Sequence, residues 1–455
     1  MEGVAAIVMA AGKGTRMKSK LPKVLHQVCG KPLVSHVIQA IRDVGIDDII
    51  VVVGHEGAKV EEALGNEVRY AYQNEQLGTG HAVLQAKGIV DTRKNILVVS
   101  GDTPLLSAKT LADLLNRHQD GKVEVTVLTA VLDDPIGYGR VIRDNSNLVV
   151  GIIEEKDASA QERLINEINT GTYCFDGNFL FDALQNLQPN NAQKEYYLTD
   201  VLAHAVSSGR GAQSIVCHDP REMQGVNSRL QLAEVAKAMN GLNVARLMDQ
   251  GVTIVDPETT YVETDVQVGQ DSILMPFTFL YGKTKVGEDC IIGPQSRLVN
   301  STIGNSVTIE NSIVKESIIG NDCLVGPYAY LRPGTVLADN VKVGDFVEIK
   351  KSHIGEGSKV PHLSYVGDAS IGKDVNIGAG TITCNYDGEN KYPTEIGDGA
   401  FIGSNTNLVA PVKVGSKAVI AAGSTLTKDV PNEGLGVARS RQVNVNHWVT
   451  RRHSK

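Results

Sequence analysis

The sequence predicts an α/β protein in two parts, a mostly parallel sheet covered by helices and then a parallel β-helix built from six-residue repeats. Apolar strands alternate with amphipathic helices up to about residue 227, helix formers dominate 228–250, and an aliphatic residue recurs at every sixth position after Gly251. The 455 residues exceed one ordinary hydrophobic core. We therefore expect domains at 1–227 and 251–455 joined by a linker helix at 228–250.

The first part has the sequence pattern of a parallel sheet. Short β-branched runs (AAIVM, DDIIVVVG, NILVVSGD) alternate with helix-like segments (LVSHVIQAIRDVG, EGAKVEEALG, SAKTLADLLNRHQ). Near-continuous apolar strands between amphipathic helices are typical of a sheet covered on both faces. Because ligands bind beyond the carboxyl ends of such strands, the loop after AAIVM and the SGD after NILVV are the candidate binding loops.

The segment between the two parts predicts one long helix. It is rich in helix formers, and its apolar residues recur at helical spacings at Leu230, Ala233, Leu242, Ala245 and Met248. A connecting helix of this length suits a linker between two independently folded parts.

The second part repeats with a period of six. The aliphatic residues in phase are Val268, Leu274, Leu280, Val286, Ile292, Leu298, Ile303, Ile309, Ile313, Ile319, Val325, Leu331, Leu337, Val343, Ile349, Ile354, Val360, Val366, Ile371, Ile377, Ile396, Ile402, Leu408, Val414, Ile420 and Leu426. This period fits a β-helix with three short faces per coil, in which every sixth side chain enters a shared core and a following glycine helps the chain turn. A β-sandwich with irregular turns would not keep the phase.

One polar loop interrupts the repeats. Between Ile377 and Ile396 the chain inserts GAGTITCNYDGENKYPTE where the repeat should continue. Such a loop is either a tolerated insertion or a functional arm that reaches a neighbouring subunit. The flat faces and open ends of β-helix coils favour packing of several copies.

Composition narrows the class of partner. The net charge of −8 argues against nucleic acid, because proteins that bind the phosphate backbone usually carry a basic excess. The six cysteines are widely spaced without a CxxC pair, which indicates reduced thiols in the cytoplasm. The apolar run from Val4 to Met9 is too short to span a membrane and is read as a buried strand.

The loop MAAGKGTRMKSKLPKVL, Met9 to Leu25, fits neither common phosphate-binding motif. A Walker A motif requires Ser or Thr after the lysine, but Gly14 follows Lys13, and a dinucleotide fingerprint requires a third glycine where Met17 stands. A glycine turn whose N–H groups can approach an anion remains, with Arg16 and Lys23 supplying charge. From these residues alone, a basic surface loop is an equal alternative.

AAGKGTRM followed by LPKVL resembles the signature of sugar-1-phosphate nucleotidylyltransferases. The whole chain is similar to the family of bifunctional N-acetylglucosamine-1-phosphate uridyltransferases and glucosamine-1-phosphate N-acetyltransferases, through QLGTGHA, GYGR, EINTG, QGVNSRLQL, LRPG, PHLSYVGD, NIGAGTITCNYDG and IAAGS. The resemblance implies a Rossmann-like nucleotidyltransferase domain, a left-handed β-helix, a homotrimer, and a role in cell-wall precursor synthesis. The expected partners are small substrates, with no nucleic acid and no membrane.

In the first part the resemblance implies that N-acetylglucosamine-1-phosphate attacks the α-phosphorus of UTP and releases pyrophosphate. Arg16 and Lys23 would act on the phosphates, and Asp102 and Asn227 would hold Mg²⁺. The residues implied to bind nucleotide or sugar are Met9, Ala10, Ala11, Gly12, Lys23, Gln73, Gly78, Thr79, Ser100, Gly101, Asp102, Gly139, Glu154, Asn169 and Asn227.

In the second part the resemblance implies acetyl transfer from acetyl-CoA to glucosamine-1-phosphate, with His362 as the proton acceptor and Glu348 as a candidate to orient its imidazole. The implied ligands of the sugar phosphate are Arg332, Lys350, Tyr365 and Asn376. Those of acetyl-CoA are Ala379, Asn385, Tyr386, Lys391, Ser404, Ala422 and Arg439.

Two rival hypotheses stay open at this point. The β-helix could be only a trimerisation or allosteric module on a nucleotidyltransferase with one activity. The chain could also be a P-loop NTPase, which would hydrolyse UTP without a sugar phosphate.

Overall fold

The computed structural model describes residues 3–452. The chain forms two compact units that divide between Met239 and Asn240. Among the described residues no helix combines the length and the apolar character needed to cross a membrane.

The first unit consists of one large sheet with helices. Its strands are β1 Val4–Ala10, β2 Gln27–Val28, β3 Lys31–Pro32, β4 Ile49–Val53, β5 Arg69–Tyr72, β6 Asn95–Ser100, β7 Val125–Val131, β8 Arg140–Arg143, β9 Val149–Ile153, β10 Glu167–Asp176 and β11 Ala212–Val216. Its helices are α1 Leu33–Asp43, α2 Gly57–Leu64, α3 Thr79–Leu84, α4 Ala108–Gly121, α5 Gly177–Asn186 and α6 Asp200–Ser207.

The sheet is mostly parallel, as predicted. Its order is β11-β7-β10-β6-β1-β4-β5, and only β10 on this path runs antiparallel to its neighbours. The side chains of β1 are buried because its apolar residues are covered on both faces. Met9 of β1 pairs with Ser100 of β6, so the loops that follow these two strands leave the same edge of the sheet side by side.

Helix α7 (Arg229–Asp249) occupies the segment predicted to be a linker helix. Of the apolar residues whose spacing predicted the helix, Leu230, Leu242 and Met248 are exposed. The buried residues are Val235, Met239, Asn243, Val244 and Leu247. Helical spacing predicted the helix but not which of its stripes is covered, since both stripes are apolar.

The second unit is a parallel β-helix. Its strands are β12 Thr253–Ile254, β13 Tyr261–Val262, β14 Gln267–Val268, β15 Ile273–Leu274, β16 Phe279–Tyr281, β17 Lys285–Val286, β18 Ile291–Ile292, β19 Arg297–Val299, β20 Thr302–Ile303, β21 Thr308–Ile309, β22 Ile313–Lys315, β23 Ile318–Ile319, β24 Leu324–Val325, β25 Tyr330–Leu331, β26 Val336–Leu337, β27 Lys342–Asp345, β28 Glu348–Lys350, β29 His353–Ile354, β30 Lys359–His362, β31 Tyr365–Gly367, β32 Ala369–Ile371, β33 Asn376–Ile377, β34 Ile382–Cys384, β35 Thr394–Ile396, β36 Phe401–Ile402, β37 Asn407–Val409, β38 Val412–Val414, β39 Val419–Ile420, β40 Thr425–Leu426 and β41 Leu435–Gly436. A short helix, α8, follows at Trp448–Arg452.

Successive strands pass to three successive sheets of eleven, ten and nine strands. Each strand therefore pairs in parallel with the strand one coil later, as Val343 does with Val360 and Ile349 with Val366. These sheets form the left-handed parallel β-helix that the family resemblance implies. Its core is one continuous column of aliphatic side chains from the successive coils.

The predicted six-residue phase identifies this core with two errors. The segment predicted to interrupt the repeats, 378–395, contains a regular coil strand, β34, whose Thr383 is buried and pairs with the core residue Leu408. The other error concerns one misplaced core residue. Val314, 0% exposed, is the core residue of its coil, whereas Ile313 is 39% exposed. Neighbouring residues of a strand point to opposite faces, so only one of the two can enter the core. Val314 pairs with Leu298 before it and Leu331 after it, which fixes the choice. The other predicted core positions are buried.

We predict that Val314→Ala lowers the free energy of unfolding by about 1–2 kcal/mol, because it leaves a cavity in a packed column. The matched substitution Ile313→Ala should cost less than about 0.5 kcal/mol, because this side chain contributes little to the core. Urea unfolding of both variants measures the difference. A larger loss for Ile313→Ala would mean that the coil is one residue out of the register described.

Candidate active sites

A cavity of about 270 Å³ lies at the carboxyl ends of β1 and β6 in the first unit. Its lining includes these predicted site residues: Met9, Ala10, Ala11, Gly12, Lys23, Gln73, Gly78, Thr79, Ser100 and Asp102. Gly101 lies directly beside them, since its N–H donates to the Met9 carbonyl oxygen at 2.9 Å. Four lining residues were not predicted as site residues: Val24, Gln76, Ala82 and Glu195.

The glycine loop brings Lys23 to the cavity. Gly14 has a φ of +59°, and a Cβ there would lie 2.7 Å from the Lys23 Cβ, so only glycine allows the two segments to approach this closely. Lys23 begins a short 3-10 helix, Lys23–Leu25, whose other two residues are buried. Lys23 is therefore fixed on one side by the close approach of Gly14 and on the other by the buried residues of its own helix.

Lys23 joins the two predicted metal ligands. Its Nζ donates to Asp102 Oδ2 at 2.5 Å and to Asn227 Oδ1 at 3.0 Å. The backbone of the QGVNSRLQL segment is fixed to the same point, because Val226 N donates to the Asp102 carbonyl oxygen at 2.9 Å. Two oxygen atoms from distant parts of the chain, one of Asp102 and one of Asn227, thus meet at the Lys23 ammonium.

The donor set fits the magnesium ion that the resemblance implies. A carboxylate and an amide oxygen are hard ligands of the type that Mg²⁺ prefers, with substrate phosphates and water filling the remaining positions. The Lys23 ammonium marks a point where the two oxygens already face one positive charge. Among residues 3–452 no group of three or more His, Cys, Asp or Glu could hold a metal ion.

The QLGTGHA segment also lines the cavity, and it packs on residues 195–198. Gly80 N donates to the Tyr196 carbonyl oxygen, and Tyr196 N donates to that of Leu77, both at 2.8 Å. Thr79 Oγ1 accepts from Leu198 N at 3.0 Å. These bonds hold the start of α3 against the loop that carries Glu195, which explains how Glu195 reaches the cavity.

Three further predicted residues form a second group. Asn169 N donates to the Gly139 carbonyl oxygen at 2.8 Å, and Gly139 lies within van der Waals reach of Glu154 and Asn169. Burial raises the pKa of Glu154, which accepts from the Thr199 hydroxyl at 3.4 Å. Asn169 Oδ1 accepts from the Tyr173 hydroxyl at 2.8 Å, which leaves its amide N–H groups to donate. The group offers both a carboxyl and an amide to a polar ligand.

Arg16 lies in the short 3-10 helix Thr15–Met17 and is exposed. It is not among the residues that line the 270 Å³ cavity. Its neighbour Met17 is buried and anchors the helix, so the guanidinium projects from a fixed base.

In the second unit, two predicted cations occupy adjacent coils of the ten-stranded sheet. Arg332 N donates to the Ile349 carbonyl oxygen at 2.8 Å, which places Arg332 next to Lys350 along the helix. Arg332 Nη1 donates to Glu348 Oε1 at 2.7 Å, and Lys350 Nζ donates to Asp368 Oδ2 at 3.4 Å. The carboxylates fix both cations and leave their remaining N–H groups for an anion.

The inserted loop approaches this pair of cations. Asn385, which follows strand β34 within this segment, is buried and donates to Asp368 Oδ2 at 2.5 Å. A hydrogen bond from Lys350 and its charge lower the pKa of Lys391. Tyr386 pairs with Lys391 across the loop and remains exposed. Two lysines held this close favour binding of a polyanion.

Four of the seven predicted acetyl-CoA residues lie in one row with the predicted proton acceptor, His362, and we call this row the corner column: His362, Ala379, Ser404, Ala422 and Arg439. Backbone hydrogen bonds define the row, since the residue after each member donates to the carbonyl oxygen of the member one coil earlier. These donors are Gly380 to His362 at 3.3 Å, Asn405 to Ala379 at 2.7 Å and Gly423 to Ser404 at 2.8 Å. Arg439 closes the row, because its Nη1 donates to the Ala422 carbonyl oxygen at 2.9 Å.

The prediction that Glu348 orients the His362 imidazole is wrong. Glu348 lies on the ten-stranded sheet and pairs with Arg332. The imidazole Nδ1 instead lies 2.5 Å from Asp345 Oδ1. Asp345 and His362 are Cα partners on adjacent strands, a relation that only the coil register reveals.

Tyr365 and Asn376 occupy different sheets. Tyr365 pairs with Glu348 on the ten-stranded sheet, whereas Asn376 pairs with Lys359 on the eleven-stranded sheet with His362. Within the chain the four predicted sugar-phosphate residues therefore form a set of three with Asn376 apart. Of the missed cavity residues, Gln76 opens the QLGTGHA segment and that motif could have indicated it, whereas Glu195 carries no sequence signal.

Comparisons with known proteins identify both units. Residues 5–220 match the Nucleotidyl transferase family, 257–354 the GMPPB C-terminal domain, and 393–428 the Bacterial transferase hexapeptide family. Bifunctional protein GlmU of Heliobacterium modesticaldum is 56% identical over 449 residues, which cover 98% of each chain. That of Carboxydothermus hydrogenoformans is 53% identical over 99% of this chain and all of the relative. The chain belongs to the GlmU family.

Membership of the GlmU family confirms the predicted order of the two parts. The chain is a bifunctional transferase, with a nucleotidyltransferase unit followed by a hexapeptide-repeat transferase unit. Of the two rival hypotheses, a P-loop NTPase does not account for the matches. A β-helix that serves only assembly does not account for relatives that are bifunctional along their whole length.

We predict that Gly14→Ala reduces nucleotidyl transfer by about tenfold to a hundredfold, because the added Cβ displaces Lys23 from Asp102. Gly209→Ala is the matched control, since Gly209 also has a positive φ of +72° but no atom within 4 Å of the added Cβ. Pyrophosphate release measures both variants. Equal losses in the two would attribute the effect to backbone strain and not to the position of Lys23.

Proposed function

We propose that this chain makes UDP-N-acetylglucosamine in two steps. The β-helix acetylates glucosamine-1-phosphate with acetyl-CoA, and the first unit then transfers UMP from UTP to the product, supplying a cell-wall precursor. The observation that carries the assignment is the corner column, in which one histidine ends a row of small residues, while the ten-stranded sheet of the same β-helix carries two anchored cations. A β-helix that served only assembly would have no need of this arrangement.

In the acetyl transfer, the glucosamine nitrogen attacks the thioester carbon of acetyl-CoA. His362 Nε2 accepts the proton that the nitrogen loses, because Nδ1 already faces Asp345. A C–N bond forms, the C–S bond breaks, and CoA leaves with a proton to become the free thiol. The products are N-acetylglucosamine-1-phosphate and CoA.

The sugar phosphate is bound by Arg332 and Lys350, with Tyr365 and Asn376 contacting the sugar. Arg332 offers the N–H groups that Glu348 does not use, in the planar arrangement that suits a phosphate. Lys350 acts as a point charge held by Asp368. The phosphate binds to residues that are already in place, so little ordering entropy is lost.

Acetyl-CoA lies along the corner column. Small side chains at Ala379, Ser404 and Ala422 leave room for the pantetheine chain, which ends with its thioester at His362. Arg439 and the loop residues Asn385, Tyr386 and Lys391 lie toward the charged parts of the molecule, with Lys391 and Arg439 supplying positive charge.

In the uridylyl transfer, a phosphate oxygen of N-acetylglucosamine-1-phosphate attacks the α-phosphorus of UTP and pyrophosphate leaves. Such a transfer depends on positioning and on charge neutralisation. Lys23 holds the phosphate that stays with uridine, and Arg16 offsets the charge of the departing pyrophosphate. Because Arg16 is exposed, its side chain is free to move toward the departing pyrophosphate.

The rest of the first unit recognises the two substrates. The Met9–Gly12 backbone, Gln73, Gly78 and Thr79 contact uracil and ribose, and Ser100 and Gly101 border the phosphates. Gly139, Glu154 and Asn169 bind the acetylated sugar, which would accept and donate hydrogen bonds to this carboxyl and amide pair.

Asp102 and Asn227 would hold Mg²⁺, which when bound offsets the negative charge of the triphosphate. Both side chains face the Lys23 ammonium, which holds them in place through its two hydrogen bonds. Lys23 is then free to shift toward the nucleotide phosphate.

We also propose a cytoplasmic homotrimer. The side chains of Tyr328, Phe346 and Leu363 form an exposed apolar ladder next to His362, and the rings of Tyr328 and Phe346 stack at 5.4 Å. An exposed apolar row beside a catalytic side chain favours association of copies, which could also return Asn376 to the sugar site. The six cysteines form no disulfide among residues 3–452, which supports a reducing compartment.

We predict that His362→Ala lowers acetyl transfer by about a hundredfold or more, because no other base reaches the amine. Release of CoA thiol from acetyl-CoA and glucosamine-1-phosphate measures this step, and pyrophosphate release should stay at the wild-type rate. His353→Ala, an exposed histidine on the same β-helix, is the control and should have no effect. Wild-type protein that releases no CoA would refute the acetyl transfer itself.

We predict that Arg16→Ala abolishes uridylyl transfer and leaves acetyl transfer unchanged, because the charge of the leaving pyrophosphate is no longer offset. Lys20→Ala, which removes an exposed charge from the same loop, should retain both activities. Pyrophosphate and CoA release are measured on each variant. Equal loss of both activities in Arg16→Ala would mean that the loop serves folding instead.

A further inference from the structure

The strands that carry Asp345 and His362 are longer than the rest of their sheet. β27 and β30 have four residues each, whereas every other strand of that eleven-stranded sheet has two. The two added residues extend the pairing beyond the usual turn and set Asp345 opposite His362. The departure from the repeat therefore falls on the two coils that meet at the proposed base.

The side chains at this corner also change there. The position two residues after the core aliphatic is Pro327, Asp345, His362, Ala379, Ser404 and Ala422 in six successive coils. Asp345 and His362 are the only titratable residues among these six positions. The carboxylate thus stands on the side of His362 away from the small residues proposed to line the acetyl-CoA path.

The contact between the two side chains is close and directional. Asp345 Oδ1 lies 2.5 Å from His362 Nδ1, and the hydrogen bond from His362 lowers the pKa of Asp345. The backbones of the two coils also meet here, since a Cβ on Gly344 would lie 1.8 Å from the Pro361 carbonyl oxygen. Glycine at 344 is therefore required for the coils to approach.

Other charged groups on the adjacent strands are too far along them to replace this contact. Lys342 of β27 and Lys359 of β30 pair with each other three residues before Asp345 and His362. The next strand, β33, presents the neutral Asn376 at the Lys359 position. Among the described residues Asp345 is the carboxylate that contacts the imidazole.

We propose that Asp345 is a positioning residue for acetyl transfer, holding the His362 imidazole with Nδ1 protonated and Nε2 directed toward the substrate amine. This rests on the proposed function of His362. During the step the amine proton passes to Nε2, the C–N bond forms and the C–S bond breaks. The Asp345 carboxylate stays ionised beside the resulting imidazolium and takes no proton.

Asp345→Ala tests the proposal in the full-length protein. The kcat of acetyl transfer should fall roughly tenfold or more, while KM for both substrates changes by less than about twofold, because binding groups are untouched. Added formate should restore part of the lost rate, since a small carboxylate can occupy the vacated position beside the exposed imidazole. Pyrophosphate release reports that the first unit is folded, and an unchanged KM for the two acetyl-transfer substrates reports that the β-helix is folded.

The matched control is Glu356→Ala. Glu356 also pairs with a cation one coil later, Lys373 at 2.9 Å, but its column holds no proposed site residue. This variant should keep the wild-type kcat and show no response to formate. A loss of the same size there would make the effect of Asp345 structural.

His362→Ala separates this inference from the proposed function. If His362→Ala loses acetyl transfer while Asp345→Ala keeps the full kcat, the role of Asp345 is overturned and that of His362 stands. If His362→Ala retains acetyl transfer, the proposed base is overturned and the role of Asp345 with it. A low Asp345→Ala rate that formate fails to raise would also contradict the proposal.

Discussion

Each coil of the β-helix must set an aliphatic side chain over that of the coil before it, and the rest of the second unit depends on this stacking. A shift of one residue would turn the core side chain to solvent, as the contrast between Val314 and Ile313 shows. Once the core is in register, every outward position falls into a fixed column. The neighbours of His362 are thereby decided by the coil register: Asp345 on one side and Ala379 on the other.

In the first unit, residues that are distant in the sequence are brought together by a different constraint, the pairing of strands in the sheet. Parallel pairing of β1 with β6 brings the ends of two strands to one edge, and the loops that follow carry the glycines, Lys23 and Asp102. The cavity forms where the sheet ends, so its polar groups do not interrupt the buried strands. In both units the proposed site residues occupy positions that the core leaves unused.

Most of the fold could be predicted because the hydrophobic periodicity of helices, strands and coils is visible in the sequence itself. The strands of the first sheet, the long helix and the six-residue phase were all read in this way. Periodicity could not choose between Ile313 and Val314, since both are aliphatic and the repeat shortens there. Nor could it choose the buried stripe of α7 or find Glu195, which reaches the cavity through the pairing of Tyr196 with Leu77. The sequence named Glu348 as a candidate partner of the His362 imidazole and did not indicate Asp345, because the columns in which these two carboxylates lie are defined only by the folded coils.

The proposed acetyl transfer requires that acetyl-CoA lies along the corner column with its thioester at His362. A crystal structure of the protein with CoA bound tests this most directly. We expect the pantetheine chain to lie along Ala379, Ser404 and Ala422, with its sulfur against His362 and the nucleotide end toward Arg439. A CoA molecule on another face of the β-helix, beside Tyr281 and Arg297 for example, would contradict it.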